Sequence, residues 1–288
     1  MAFYVHYLVL APLVLLVLLA WTLQTRRPDR VLGAALATLP RRGGGRAVLG
    51  LYAFVVFGNL VQALLDDELT AALGYDLTGR VFALEGESVA RVQEAVLALP
   101  AADLWVLLLG YAYTVGYVTW LLFPTVAFHA LGKRRASGTY ALAFALNYAL
   151  ALPFYLFAPV REVAWSGLSR ARPLLEESFP GITANLRMES ALDNCFPSLH
   201  VSIAVTSLVL VLHQGNRRMR LLAWPWTLAV CFSVLALGIH WVADTVTGVP
   251  HGLLCAWLAL RWWPPGGEDG ERQDGAGQQP AQAPTGTP

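Results

Sequence analysis

The sequence predicts an all-α integral membrane protein, and two observations carry that prediction. Apolar residues make up 56% of the 288-residue chain, with a mean hydropathy of +0.52, against about 45–50% in an average soluble domain. Charged residues are only 14% of the total, and they cluster so as to leave long stretches with none. A run of about 18 or more apolar residues is long enough to cross a bilayer as a helix. A large soluble protein can bury helices this apolar, but a chain of 288 residues with so little charge does not fit that class.

The apolar runs predict seven spans, at about 2–24, 47–65, 103–130, 139–159, 197–213, 221–240 and 244–262. The first is expected to remain in the membrane. It has no basic leader, its apolar core exceeds the roughly 7–15 residues of a secretory signal, and a strong basic stop follows it. Lysine and arginine placement sets the expected orientation. One side receives Arg26, Arg27, Arg30, Arg41, Arg42 and Arg46, then Lys133, Arg134 and Arg135, then Arg217, Arg218 and Arg220. The opposite side holds the acidic stretch from Asp66 to Glu87 and few basic residues for its much longer loops. The N-terminus is therefore expected outside and the C-terminus in the cytoplasm, in the cell membrane. Residues 1–262 form the membrane domain, and 263–288, rich in Gly, Pro, Gln and Ala, read as a disordered cytoplasmic tail. On the outer side, Val81, Phe82, Leu84, Val89, Val92, Val96 and Leu97 suggest helices lying along the interface.

Three classes of chemistry find little support. Cys195, Cys231 and Cys255 are odd in number and scattered, with neither a disulfide framework nor a zinc pattern, so they read as small apolar filler. The glycines between Arg42 and Arg46 lack the strand, lysine and hydroxyl of a phosphate loop, and a basic turn facing anionic lipid explains them better. No cofactor, metal or nucleic-acid partner is expected. The partners expected are membrane lipids, with a phosphorylated lipid as substrate and an alcohol as a candidate acceptor; the oligomeric state is left open.

Two short segments carry the functional signal: Cys195 to His200 opens the fifth run, and Gly238 to Asp244 lies between the sixth and seventh. Ionisable groups at the edge of a span are costly and need a reason. Ser198 is placed to cap a helix beginning at the next residue, and its hydroxyl is also a candidate contact for the phosphoryl oxygens. One passage down and back puts His200 and His240 at the same depth on the same side. His240 and Asp244 are four residues apart, and a helical turn would set them on one face. The carboxylate can then orient the imidazole for attack, with phosphorus as the natural electrophile and His200 as proton donor. An arginine is needed for the phosphoryl oxygens. Arg161, directly after the fourth span, is the first candidate, and Arg170 and Arg172 follow.

Phe196-Pro197-Ser198-Leu199-His200 and the His-x-x-x-Asp pattern from His240 to Asp244 resemble motifs of the type 2 phosphatidic acid phosphatase superfamily. The first is closest in form to its inositol phosphorylceramide synthase and sphingomyelin synthase branch. The resemblance covers roughly residues 100–262. It implies a six-helix membrane bundle, here with an extra N-terminal helix, and it implies His240 as nucleophile, Asp244 as its partner and His200 as the acid–base group. Arg172-Pro173 matches half of the superfamily's first motif, but the lysine position is Trp165. The arginine often found six residues before the last histidine is Val234 here. The expected activity is a lipid phosphate phosphatase working through a phosphohistidine. The alternatives are a lipid headgroup phosphotransferase and a non-catalytic lipid transporter or scaffold.

Overall fold

The structure is a computed structural model that describes residues 2–41, 44–184 and 192–265. Most of the predicted tail, together with Arg42, Arg187 and Glu189, lies outside the described residues. Within them the chain is helical and forms no strand; an isolated bridge pairs Val160 with Asn194. Helix α1 (Ala2–Leu23) is followed by α2 (Pro28–Thr38), which opens on a proline, a residue whose missing N–H costs nothing at a first helical turn. The two meet at a 98° bend. Helix α3 (Gly45–Leu73) stops at Gly74, which takes the left-handed conformation at φ +67°. Two short helices follow, α4 (Thr78–Glu85) and α5 (Ser88–Leu97). Helices α6 (Ala102–Tyr111) and α7 (Tyr117–Ala130) are one long rod interrupted by a π turn at Ala112–Gly116. Then come α8 (Arg134–Phe157), the one-turn α9 (Leu174–Ser178), α10 (Leu199–Gln214), α11 (Arg217–Ala236) and α12 (Val242–Trp262).

All seven expected spans coincide with helices, but they are not alike. By length and apolarity, α3, the α6–α7 rod, α8 and α11 can each cross a membrane, and the bent α1–α2 pair makes a fifth. Helix α10 has only 16 residues, and α12 carries Asp244, Thr245, Thr247 and His251. Both are more polar because much of their surface faces protein. Helix α10 packs on α8, α11 and α12 together.

The exterior is apolar, and the interior, though mostly apolar, carries a string of polar side chains. Phe57, Leu64, Leu228 and Trp257 are exposed, whereas Asn147, Ser202, Thr206 and Ser207 are buried. With lipid outside, helices gain from polar contacts and close approach rather than from burying oil. Tyr140 Oη and Ser207 Oγ are 2.7 Å apart, Asn147 Nδ2 donates to Thr206 Oγ1 at 3.0 Å, and Thr206 Oγ1 donates to the Gly252 carbonyl at 2.8 Å. Gly248 and Gly252 let α12 lie directly on α10. A Cβ at Gly248 would come within 2.8 Å of the Ser198 carbonyl oxygen, and one at Gly252 would overlap that of Ser202.

The connections sort to two ends. At one, Lys133 Nζ donates to the Gln214 carbonyl at 2.8 Å and Asn216 Nδ2 to that of Thr22 at 3.1 Å. At the other, Leu77 N bonds the Pro159 carbonyl and Ala164 N that of Gly238. The basic turns thus share one end, and the segments holding His200, His240 and the three candidate arginines share the other.

Candidate active site

Ser198 has extended backbone and caps α10, its Oγ accepting from Val201 N at 3.4 Å. The capped first turn presents His200. Tyr155 Oη holds the preceding residue through the Pro197 carbonyl at 2.8 Å. Across the pocket, α11 ends at Ala236 and the chain turns through Gly238, at φ +77°, a conformation open to glycine at little cost. A side chain there would strike the Arg172 carbonyl oxygen, 2.6 Å from a built Cβ. The turn delivers His240, whose Nε2 lies 3.5 Å from His200 Nδ1, with the ring centres 5.6 Å apart. The expectation that one down-and-up passage unites the two imidazoles is met.

Asp244 joins them by a different local route from the one expected. Helix α12 begins at Val242, so His240 precedes it and the two residues share no helical face. Instead the fully buried carboxylate folds back over the first turn. Its Oδ2 accepts from Trp241 N at 2.9 Å and lies 3.5 Å from His240 Nδ1. That second distance is loose, and catalytic hydrogen bonds commonly tighten only around substrate. Ser198 N donates to the Asp244 carbonyl at 3.2 Å, which ties the start of α10 to the start of α12. His240 is nearly buried, while His200 is half-buried and forms the open side of the pair.

Several neighbours carried no signal in the sequence. Tyr113 stacks on His200 at 4.4 Å between ring centres, and Tyr117 lies against the same ring at 4.4 Å with a 40° tilt. Both come from the π turn and its edge, and their spacing of four was the available clue. Cys195 is another. Its thiol, a His240 ring nitrogen and an Asp244 oxygen lie within 4.8 Å of one another. A tetrahedral zinc site, with bonds of about 2.0–2.3 Å, draws its ligand atoms to roughly 3.3–3.8 Å. Here the thiol donates to the Ile239 carbonyl at 3.6 Å, and burial pushes it up, away from the thiolate a metal takes. Cys195 belongs to the buried cluster around Trp241, beneath the turn that carries His240.

The three arginines all lie at this end, and each is engaged by a carboxylate. Arg161 Nε is 3.5 Å from Asp76 Oδ2, and its side chain lines a polar cleft of about 880 Å³ with Thr70, Tyr75, Trp165 and Asp193. Its main chain serves the site more directly, since Trp241 Nε1 donates to the Arg161 carbonyl at 2.8 Å. Arg170 pairs with Glu87 and Glu94. Arg172 Nε donates to Glu177 Oε1 at 3.1 Å as half of a two-point contact. None of the three guanidinium groups contacts the imidazoles, but the Arg172 main chain abuts the turn that carries His240.

Two histidines and a carboxylate thus meet at one end of an all-α membrane bundle. Residues 137–267, rather less than half of the chain, match the family model described as the PAP2 superfamily, whose members are generally phosphatases or phosphotransferases. The match takes in most of α8 and everything through α12, with His200, His240 and Asp244 inside it. No curated protein and no solved structure matches the chain.

Proposed function

We propose that the chain is a membrane lipid phosphatase working through a phosphohistidine, with its site at the extracytoplasmic face. The observation that carries this reading is the approach of His240 Nε2 to His200 Nδ1 at 3.5 Å, with Asp244 on the far side of His240 at the same distance. Asp244 favours a proton on His240 Nδ1 and leaves Nε2 with its lone pair. Nε2 attacks phosphorus; the bond to the ester oxygen breaks, its electron pair stays on that oxygen, and His200 supplies the proton. Water then attacks the phosphohistidine, His200 takes the proton back, and the P–N bond breaks. Arg172 is the favoured phosphate ligand. Its main chain lies against the turn that carries His240, and its exposed guanidinium is held by a surface carboxylate that a phosphate dianion can displace.

A second reading rests on one sequence feature. The Phe196–His200 motif has the form of the synthase-like branch, in which an alcohol replaces water in the second step and phosphate leaves on the acceptor. The test is the purified chain in detergent with a ³²P-labelled diacylglycerol phosphate, with and without polyol or lipid alcohols, in EDTA. Wild-type protein should release labelled phosphate, or pass it to the alcohol, and should carry a transient acid-labile label. His240→Ala should lose both, by about three orders of magnitude or more in rate. Turnover that survives His240→Ala, or that EDTA abolishes, removes the mechanism; no release at all leaves the scaffold reading.

A further inference from the structure

Helices α4 and α5 lie outside the matched segment 137–267, yet two of their side chains reach into the main chain around the site. Glu85, the last residue of α4, places one carboxylate oxygen 3.0 Å from Val242 N and the other 2.9 Å from Ala243 N. These are first-turn N–H groups of α12, which no carbonyl of the same helix can reach. Negative charge there also complements the helix dipole. With Asp244 taking Trp241 N, three consecutive N–H groups directly after His240 rest on two carboxylates.

Gln93, on α5 and 3% exposed, works on the other end of the same turn. Its Nε2 donates to the Arg172 carbonyl at 2.8 Å and to the Ala236 carbonyl at 3.3 Å, and its Oε1 accepts from Arg172 N at 2.7 Å. One buried amide thereby joins the main chain of Arg172 to the last residue of α11, where the turn to His240 begins. Gly238 packs against that amide: a Cβ there would lie 2.7 Å from Gln93 Nε2. The turn is thus gripped before and after His240 by residues that a single short stretch supplies.

We propose that Glu85 and Gln93 are positioning residues for phosphoryl transfer, Glu85 fixing the His240–Asp244 pair from the start of α12 and Gln93 setting Arg172 against the His240 turn. The proposal rests on the reading of His240 as nucleophile. It gives α4 and α5 a share in the chemistry without contact with the reacting atoms. Misplacement of a reacting group by about 1 Å costs on the order of a hundredfold in rate, so main-chain supports of this kind are felt in turnover.

The test uses the full chain in detergent and the near-isosteric variants Glu85→Gln and Gln93→Glu, with Glu85→Ala and His240→Ala alongside. Glu85→Gln keeps one acceptor oxygen; Gln93→Glu turns a donor toward two carbonyls into an acceptor. Two readouts are taken: turnover of diacylglycerol phosphate, and binding of orthovanadate, which mimics phosphorus in transfer and needs no knowledge of the natural lipid. Glu85→Ala should lower kcat about tenfold or more with KM within about twofold, and Glu85→Gln should recover part of the loss. Gln93→Glu should raise KM as well as lower kcat and should weaken vanadate about tenfold, because it disturbs Arg172. The proposal is overturned if these variants keep wild-type kcat, KM and vanadate affinity, or if their losses equal only the fraction of protein unfolded by thermal melt. Full activity or full vanadate binding in His240→Ala overturns the nucleophile reading itself.

Discussion

Tyr113 and Tyr117 press on the ring of His200, His240 leans on Asp244, and Asp244 in turn accepts from Trp241 N. Support of this kind extends to Glu87, which accepts from Ser169 Oγ at 2.8 Å and from Arg170 N at 3.0 Å. The Ser169 hydroxyl above all, with the Arg170 N–H and charge, holds its carboxyl below the ordinary carboxylate range, against burial, which pushes it up and is second only to the Ser169 bond. A carboxyl with a lowered native pKa adds stability above its unfolded pKa and loses it as pH falls through the native one. Wild-type protein should therefore melt slightly higher than Glu87→Gln at pH 7, and the gap should close as pH drops below the carboxylate range, as read from paired melting curves. His200, His240, Asp244 and Ser198 were legible in the sequence because their spacing and place at span edges constrain them. Glu85 and Gln93 were not, because their partners are backbone groups some 80 to 160 positions away, and backbone groups leave no mark on residue type.

Among the elements, the α10–α12 crossing governs the site. Gly248 and Gly252 bring the helices into backbone contact, so the starts of α10 and α12 are held together without intervening side chains. Gly252→Val would drive a branched side chain into the Ser202 carbonyl. Overpacking of this kind costs about 1–3 kcal/mol, so the variant should melt several degrees lower and lose most turnover even where folded. Gly248→Ala, nearer the site and smaller, should cost turnover more than melting temperature. The glycine spacing was open to view in the sequence, but its meaning depends on which helix lies opposite. Span positions were legible to within several residues because apolar runs are long. The π turn in the third span was not, since it leaves apolarity uninterrupted, and the basic residues after Leu23 mark the end of α1 without showing that α2 turns away at 98°.

For the molecule as a whole, the division of labour is by layer. The matched segment holds His200, His240 and Asp244, while α1–α3 and the α6–α7 rod add apolar wall and α4–α5 add polar struts. Sixteen residues of α10 rise about 24 Å, several ångströms less than the roughly 30 Å of a typical hydrocarbon layer. The helices that enclose it, rather than lipid, make up the difference, so the end that carries His200 can lie below the rim they form. His200, near its upper end, then sits at the floor of a dimple, and a phosphate reaches it most readily where the lipid is shallow. Reconstituted into vesicles of graded acyl length, the protein should turn over fastest in the shorter lipids and slow as the tails lengthen, at unchanged headgroup and charge.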